Sequence, residues 1–483
     1  MLLRELLSGI EILDTSMDPD TEISGISYDS RKTEPGDLFV AISGFETDGH
    51  KYIPGAMKRG AVAVLCEIQP DNGIPFVLTP NCRNALAIAS INYFRKPAEN
   101  LVLIGITGTN GKTTSSYIIK HILEYVTGEK VGLIGTINNL IGNRVIPSDH
   151  TTPESFELQK LLADMADSGC RYVVMEVSSH SLKLGRVAGI HFDVTAFTNL
   201  TQDHLDFHHT MEDYAASKKK LFYSCSVACI NEDDSYSGYF MQDLPCECKT
   251  FSVLNGSADF SASGIRSTEK GVSFDLSCDG EINRVWLPIP GDFSVYNALG
   301  AIAVCRSLDL PLKRIVEAMQ TSSGVKGRLE VLPLDTDYSV IIDYAHTPDA
   351  LKNIINTLKP LTRGRLITLF GCGGDRDHLK RPIMGAAAAE GSDLCIVTSD
   401  NPRTEDPDSI IRDILDGFRE SSTPYVVIRD RIEAIHWAID NAQSGDVILL
   451  AGKGHEDYQV IGHSKHHFDE REIVLSYLEE KHS

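Results

Sequence analysis

The chain has no long hydrophobic run. None of its 483 residues belongs to an apolar stretch of about 18, the length a membrane span requires. The opening MLLRELLSGIEIL sets Leu2, Leu3, Leu6 and Leu7 at helical spacing, but Arg4 and Glu5 interrupt them, so the unbroken apolar segment of a signal peptide is missing. Positive charge is in deficit, with 45 Lys and Arg against 67 Asp and Glu, a net charge of −22. This argues against nucleic acid as the main partner, because phosphate-backbone binding needs a basic surface. An anionic small molecule would need Arg and Lys placed locally. There is no internal repeat and no low-complexity linker. The eleven cysteines are scattered, several in apolar runs (Cys66, Cys170, Cys395), which fits reduced, mostly buried thiols in a cytoplasmic protein. Cys225 with Cys229 and Cys246 with Cys248 lack the partners that would complete a metal site.

What is present is an ordinary globular composition, 42% hydrophobic and 23% charged, at a length that predicts about three domains. Residues 1–97 mix short strand-like runs (Leu38–Ile42, Val62–Leu65, Phe76–Leu78) with turns, a small mixed α/β domain. Residues 98–330 open with an apolar strand, Leu101–Thr107, and continue with Val131–Ile134, Tyr172–Glu176 and Val194–Thr198, separated by helical segments. That alternation predicts a mostly parallel sheet covered by helices. Residues 331–483 repeat the pattern with Val340–Asp343, Leu366–Phe370, Leu394–Thr398, Tyr425–Ile428 and Val447–Leu450, a second, Rossmann-like doubly wound unit. The unusual polar clusters DYAHTPDA, FGCGGDRD, TSDNPRTEDP and AGKGHED follow these strands. Ligands of open parallel sheets bind at the carboxyl ends of strands, so a site built from strand-end loops is expected.

The stretch IGITGTNGKTT, residues 104–114, resembles a phosphate-binding loop but breaks its usual spacing, which asks for Gly where this chain has Ile106. Gly108, Thr109, Asn110 and Gly111 are small and flexible, and Lys112, Thr113 and Thr114 begin a helix. Backbone N–H groups at such a junction bind phosphate oxygens, helped by the helix dipole. Lys112 is placed to offset phosphate charge and the Thr113 hydroxyl to reach Mg²⁺. Glu176 ends the run in MEVSSH and is a second candidate for the metal. His204 follows another strand in TNLTQDHLD. Lys218 belongs to a Lys-Lys-Lys run, yet at 100° per residue it falls on the apolar face of Met211, Tyr214, Ala215, Leu221 and Phe222, while Lys219 and Lys220 point away from it. A lysine on a buried face needs a reason. Burial lowers its pKa, and a neutral amine reacts with CO₂ to give a carbamate, an oxygen ligand suited to Mg²⁺.

Together these residues resemble the Mur ligase family: the Gly-Thr-x-Gly-Lys-Thr loop, the Glu of EVSSH, NLTQDHLDFH, and a helix Lys before Leu-Phe. The resemblance covers the whole chain. It implies an amide ligase that activates a carboxylate with ATP as an acyl phosphate, for attack by the amino group of an amino acid. It implies two Mg²⁺ ions, with Thr113, Glu176, His204 and a carbamylated Lys218 as ligands, and Lys112, Lys218, His204 and Glu176 as the catalytic set. It makes Asn297, Arg328, Asp343 and His346 further nucleotide contacts. It assigns residues 1–97 to a UDP-sugar, 98–330 to ATP and 331–483 to the amino acid. Asp400-Asn401-Pro402-Arg403 resembles the motif of the members that add meso-2,6-diaminopimelate to UDP-N-acetylmuramoyl-L-alanyl-D-glutamate. A guanidinium reads a carboxylate bidentately, and diaminopimelate, unlike lysine, has a carboxylate at its far end. Arg376, Gly452 and Glu456 resemble further contacts to that amino acid. Ser30, Gly44, Phe45 and Glu46 resemble contacts to the uridine diphosphate, and Thr151, Thr152, Ser178 and Arg186 contacts to the muramoyl-dipeptide. Two positions depart from the pattern: Leu184 stands where relatives commonly have Gln, and His150 where Asn is frequent. The expected protein is a cytoplasmic monomer of peptidoglycan precursor synthesis. Its rivals are a lysine-adding ligase, opposed by Arg403, a folate–polyglutamate ligase, opposed by Ser30 and the 44–46 loop, and a nucleotide-gated switch, opposed by Arg376, Arg403 and Glu456. The tail Gly462–His467 reads as a hairpin turn before a helix capped by Asp469.

Overall fold

The computed structural model describes residues 1–482 apart from 45, 46, 71, 72, 149 and 323. The chain forms two compact units, Met1–Ala258 with Gly300–Pro311, and Asp259–Leu299 with Leu312–Ser483. No described helix is long and apolar enough to cross a membrane.

The first unit holds a small sheet of five strands in the order Asp14–Thr15, Phe76–Leu78, Ala63–Cys66, Asp37–Val40 and Gly25–Ser27, parallel except at the first pair. Its second sheet is built on six parallel strands: β1 (Val102–Thr107), β2 (Lys130–Ile134), β3 (Cys170–Glu176), β4 (Phe192–Phe197), β5 (Cys225–Asn231) and β6 (Glu247–Ser252). Their spatial order is β6-β5-β4-β1-β3-β2. The strand β1 is buried from Leu103 to Thr107, the continuous apolar run of a strand covered on both faces. It lies between β3 and β4, where the connections diverge to opposite sides, the usual crevice for a ligand. The helix α1 (Lys112–Thr127) buries Ile118, Ile119, Ile122 and Leu123 and stops at Gly128, φ 71°, a left-handed cap that glycine adopts without steric cost. An antiparallel hairpin, Asn138–Ile141 with Arg144–Pro147, extends the edge beyond β2.

The second unit contains three antiparallel strands, Phe260–Thr268, Gly271–Cys278 and Glu281–Leu287. It also holds a parallel sheet of β7 (Ser339–Asp343), β8 (Leu366–Phe370), β9 (Leu394–Val397), β10 (Tyr425–Val427) and β11 (Val447–Ala451) in the order β7-β11-β8-β9-β10. Its core joins Val340, Ile342, Ile367, Leu369, Ile448 and Leu450. The loops after β7, β8, β9 and β11 carry the four polar clusters.

The tail differs in detail from its sequence reading. Tyr458–Ile461 pairs with Ser464–His467 as a two-stranded hairpin, and the helix begins at Glu470. The turn is Gly462-His463, with Gly462 at φ 59°.

Candidate functional site

The nucleotide loop explains its own departure from the usual spacing. Ile106 is fully buried inside β1, paired with Glu176 and Ala196 on either side, so the turn has not yet begun there. It begins at Gly108, φ 149°, where a Cβ would collide with the Thr198 hydroxyl. Asn199 then grips the loop: its carbonyl accepts from Thr109 N–H (2.8 Å) and its side-chain oxygen from Asn110 N–H (2.9 Å). Thr198 donates to the Asn110 carbonyl (2.7 Å), and the Thr109 and Tyr214 hydroxyls lie 3.1 Å apart. Gly111, φ 85°, leads into α1, whose first N–H groups have no partner within the helix and are aimed where a phosphate would sit.

Two lysines converge on one carbonyl. The Lys112 ammonium donates to Gly108 O (3.0 Å) and Thr109 O (2.9 Å), and Lys218 donates to Gly108 O at 2.7 Å. Lys218 lies on α3 (Met211–Lys219), 1% exposed and 4.6 Å from the centre of the Tyr214 ring. Burial holds its pKa well below the ordinary lysine value, and the like charge of Lys112 adds to this. Burial also lowers Lys112, against the pull of Glu176 and Asp203. Lys219 does leave the Lys218 face, but it is not solvated: it is 5% exposed, and its ammonium donates to the carbonyls of Tyr239 (2.7 Å) and Gln242 (2.8 Å).

Glu176 is fully buried at the end of β3. Its carboxylate accepts from the Thr113 hydroxyl (2.9 Å), the Thr136 hydroxyl (3.0 Å) and the Thr136 N–H (3.1 Å). His204 stands apart from this carboxylate network. It caps α2 (Leu205–His208) at φ 53°, half exposed, 3.5 Å from Asp203 and edge-on to the His180 ring at 4.8 Å. Among the described residues no three His, Cys, Asp or Glu side chains converge on a metal position. The eleven cysteines are free thiols.

On the other side of Glu176, the Thr136 and Thr151 hydroxyls lie 3.0 Å apart, and the Thr152 hydroxyl donates to the Glu176 carbonyl (2.9 Å) and accepts from Ser178 N–H (3.1 Å). Arg186 donates to Thr152 O (2.9 Å) and pairs with Glu154 at 2.7 Å. A cavity of about 460 Å³ beside this cluster is lined by Tyr28, Lys32, Asn139, His150 and Glu157 among others. Ser30 lies in the turn after Gly25–Ser27, and Gly44 N–H donates to Thr47 O (3.0 Å). Phe45 and Glu46 lie outside the described residues. Leu184 ends the short helix Ser179–Lys183 and faces a different cavity from the Thr151–Thr152 cluster.

In the second unit the strand-end loops enclose a cavity of about 350 Å³. Arg376, Asp400, Asn401, Arg403, Gly452 and Glu456 all line it, together with His346. Pro402 is buried beneath, its carbonyl against Gly374. Arg403 adopts φ 51°, held by backbone hydrogen bonds to Val460 O (3.1 Å) and from Gly462 N–H (2.7 Å), and its guanidinium donates to Gly374 O at 2.7 Å. Asp343, at the end of β7, accepts from Leu329 N–H and Ala345 N–H, both at 2.8 Å, and burial raises its pKa. The Arg328 guanidinium lies 5.2 Å from the centre of the Tyr344 ring. Asn297 is buried in the helix Phe293–Ser307.

Four residues in these sites were given no role in the sequence reading. Thr136 looks like an ordinary loop residue, and Asn199 only opens the NLTQDHLDFH run. Arg381, 1% exposed, lines the second cavity and pairs with Glu405 (2.8 Å) and Asp413 (2.9 Å). Lys453 is fully buried, although Gly-Lys-Gly reads as an exposed turn.

Residues 22–94 match the Mur ligase family catalytic domain, 106–305 the Mur ligase middle domain, and 327–454 the Mur ligase glutamate ligase domain. The chain is 49% identical over 483 residues, 99% of each chain, to a UDP-N-acetylmuramoyl-L-alanyl-D-glutamate–2,6-diaminopimelate ligase of Caldanaerobacter subterraneus subsp. tengcongensis. It is 48% identical over 466 residues, 95% of this chain and 96% of the relative, to the protein of that name in Clostridium botulinum. A solved structure of a ligase of the same name covers all of this chain, and 99% of its own, with a TM-score of 0.78 at 34% identity.

Proposed function

The chain belongs to the Mur ligase family, with its three-domain, mostly parallel α/β fold, and on that premise we propose that it joins 2,6-diaminopimelate to the D-glutamate of UDP-N-acetylmuramoyl-L-alanyl-D-glutamate, converting ATP to ADP and phosphate. The carrying observation is the second-unit cavity, lined by both cations (Arg376, Lys380, Arg403) and carboxylates (Asp377, Asp400, Glu456). Mixed charge suits an amino acid that is zwitterionic at both ends, and a paired guanidinium reads a carboxylate. A lysine substrate would leave that far-end cation without its partner.

The reaction has two steps. A carboxylate oxygen of the D-glutamate attacks the γ-phosphorus of ATP, ADP leaves, and an acyl phosphate forms. The neutral amine of diaminopimelate then attacks the acyl carbon, phosphate leaves with the bonding pair and takes up the proton the nitrogen loses, and an amide remains. Two anions must meet in the first step, so the protein's task is charge compensation and alignment. Lys112 is poised for this: its ammonium is already held at the loop by two carbonyls and turns to the phosphates when they arrive. The α1 amides hold the phosphates, and Asn199 keeps the loop in shape for them. Thr151, Thr152, Ser178 and Arg186 orient the dipeptide, and Ser30 with the 44–46 loop binds the uridine diphosphate. Asn297, Arg328, Asp343 and His346 complete the nucleotide contacts. By this reading residues 1–97, 98–330 and 331–483 are the UDP-sugar, ATP and amino-acid domains, and the enzyme works on cytoplasmic precursors of peptidoglycan.

The Thr113 hydroxyl and Glu176 carboxylate fit Mg²⁺, being hard oxygen donors 2.9 Å apart, and Mg²⁺ binds through one or two carboxylates plus phosphates and water. When bound, the ion neutralises phosphate charge. His204 and Lys218 complete the set for a second ion if Lys218 is carboxylated. Its low pKa supplies the neutral amine that CO₂ requires, and Lys112 beside it favours the anionic product over a second cation.

The test is coupled ADP release. Turnover should require diaminopimelate and the nucleotide dipeptide together. Equal ATP hydrolysis without either would support a nucleotide switch instead.

A further inference from the structure

Lys453 sits between two glycines at positive φ, Gly452 at 114° and Gly454 at 53°, which turn the chain sharply after β11. Gly454 has no room for a side chain: a Cβ there would meet Tyr344 and the Gly327 carbonyl. The tight turn sends the lysine inward, where it is fully buried with its ammonium 5.4 Å from the centre of the Phe468 ring. A buried ammonium must be paired. Lys453 donates to Asn401 Oδ1 (3.1 Å) and Glu456 Oε2 (3.3 Å) and lies 3.9 Å from Asp400. All three partners line the cavity; Lys453 does not.

The network has a direction. Asn401 Oδ1 accepts from both Lys453 and Val460 N–H (2.9 Å), which fixes the amide so that its NH₂ faces Glu456 Oε2 (2.9 Å). Glu456 Oε2 is thus taken by Asn401 and Lys453, and the other carboxylate oxygen is left for the cavity. Val460 in turn holds the backbone of Arg403. One ammonium therefore sets the rotamer of an acid, the flip of an amide and the anchor of a guanidinium on the same cavity.

We propose that Lys453 is a positioning residue for the incoming amino acid, fixing Glu456 and Asn401 from beneath and, through Val460, the hairpin that carries Arg403. This rests on the reading of the second-unit cavity as the amino-acid site. Lys453 touches no substrate. Without its charge, Glu456 and Asp400 lose the ammonium they share, and the Asn401 amide keeps only the Val460 N–H of the two donors that orient it.

The test uses the full-length protein with Lys453→Met, which keeps the unbranched stem, and Lys453→Gln, which keeps a neutral donor. Steady-state kinetics should give a KM for diaminopimelate raised at least about tenfold in Lys453→Met, the size of one lost charged hydrogen bond, and raised less in Lys453→Gln. The KM values for ATP and the nucleotide dipeptide should not move. Hydrogen exchange of the 458–467 hairpin should quicken in both variants while β1 and α1 stay protected. A general loss of structure would instead change all three KM values and the exchange of both units. Unchanged diaminopimelate KM with unchanged hairpin exchange overturns the proposal. If the wild type fails to use diaminopimelate, the substrate reading falls, whereas the exchange comparison still decides whether Lys453 orders the hairpin.

Discussion

Replacing Arg403 with glycine should separate stability from activity. Arg403 is a non-glycine residue at φ 51°, a left-handed conformation that costs an L-residue about 1–2 kcal/mol. Alanine there keeps that cost and loses the guanidinium bond to Gly374 O, a net of about 1 kcal/mol. Glycine loses the same bond and is released from the strain, but adds roughly 0.5–1 kcal/mol of chain entropy to the unfolded state. The glycine variant should therefore be as stable as the alanine variant or up to about 1.5 kcal/mol more so, an advantage of roughly 0–6 °C in melting temperature for units of this size. The backbone bonds to Val460 and Gly462 survive both changes, so the hairpin stays docked. Activity should fall equally in the two, because both remove a cation facing a carboxylate. A charged hydrogen bond of about 1.5–3 kcal/mol corresponds to a loss of about 10- to 150-fold in kcat/KM for diaminopimelate. Thermal denaturation and steady-state kinetics measure the two effects on the same preparations. Wild-type kcat/KM in either variant, or a glycine variant melting well below alanine, would refute the argument.

Lys218→Ala should be inactive and regain activity with added short carboxylates; full activity without them would remove the carbamate from the mechanism. Thr136→Val strips one donor from Glu176 and should raise the half-saturating Mg²⁺ concentration of the ligation by about 10- to 100-fold, as changes to groups behind a metal ligand do, with no change if Glu176 does not hold the ion. Arg381→Met leaves Glu405 and Asp413 without their shared buried cation, but both carboxylates reach solvent, so the cost in denaturant unfolding should be about 1–3 kcal/mol, that of lost charged hydrogen bonds. The same pair fixes an acid limit: the Arg381 hydrogen bond holds Glu405 below the ordinary carboxylate range, so its stabilisation is complete above about pH 4.3 and is lost as pH falls through the lower folded value. Acid unfolding of wild type and Arg381→Met should converge below that range.

The two parallel sheets and the residues at their strand ends were legible because buried parallel strands are unbroken apolar runs and the polar clusters follow them directly. Lys218 was legible from helical periodicity alone. The antiparallel strands Phe260–Thr268, Gly271–Cys278 and Glu281–Leu287 were missed, although Val272, Phe274, Leu276 and Cys278 alternate with half-exposed neighbours and Asp279-Gly280 marks the turn. That period-two signal is the hairpin signature, weaker than an apolar run and easily taken for loop. Thr136, Asn199 and Lys453 were not legible, since each owes its role to a partner distant in sequence or to the direction a glycine turn sends it. The burial of Lys219 was not legible either, because the carbonyls that hold it, those of Tyr239 and Gln242, come from a later segment.

The most direct test of the account is ligation followed by mass spectrometry, with the protein, Mg·ATP, UDP-N-acetylmuramoyl-L-alanyl-D-glutamate and either meso-diaminopimelate or L-lysine. The predicted result is the amide product with diaminopimelate alone. A product with lysine would contradict the role given to Arg403, and steady ATP hydrolysis with no product from either amino acid would contradict the ligase itself.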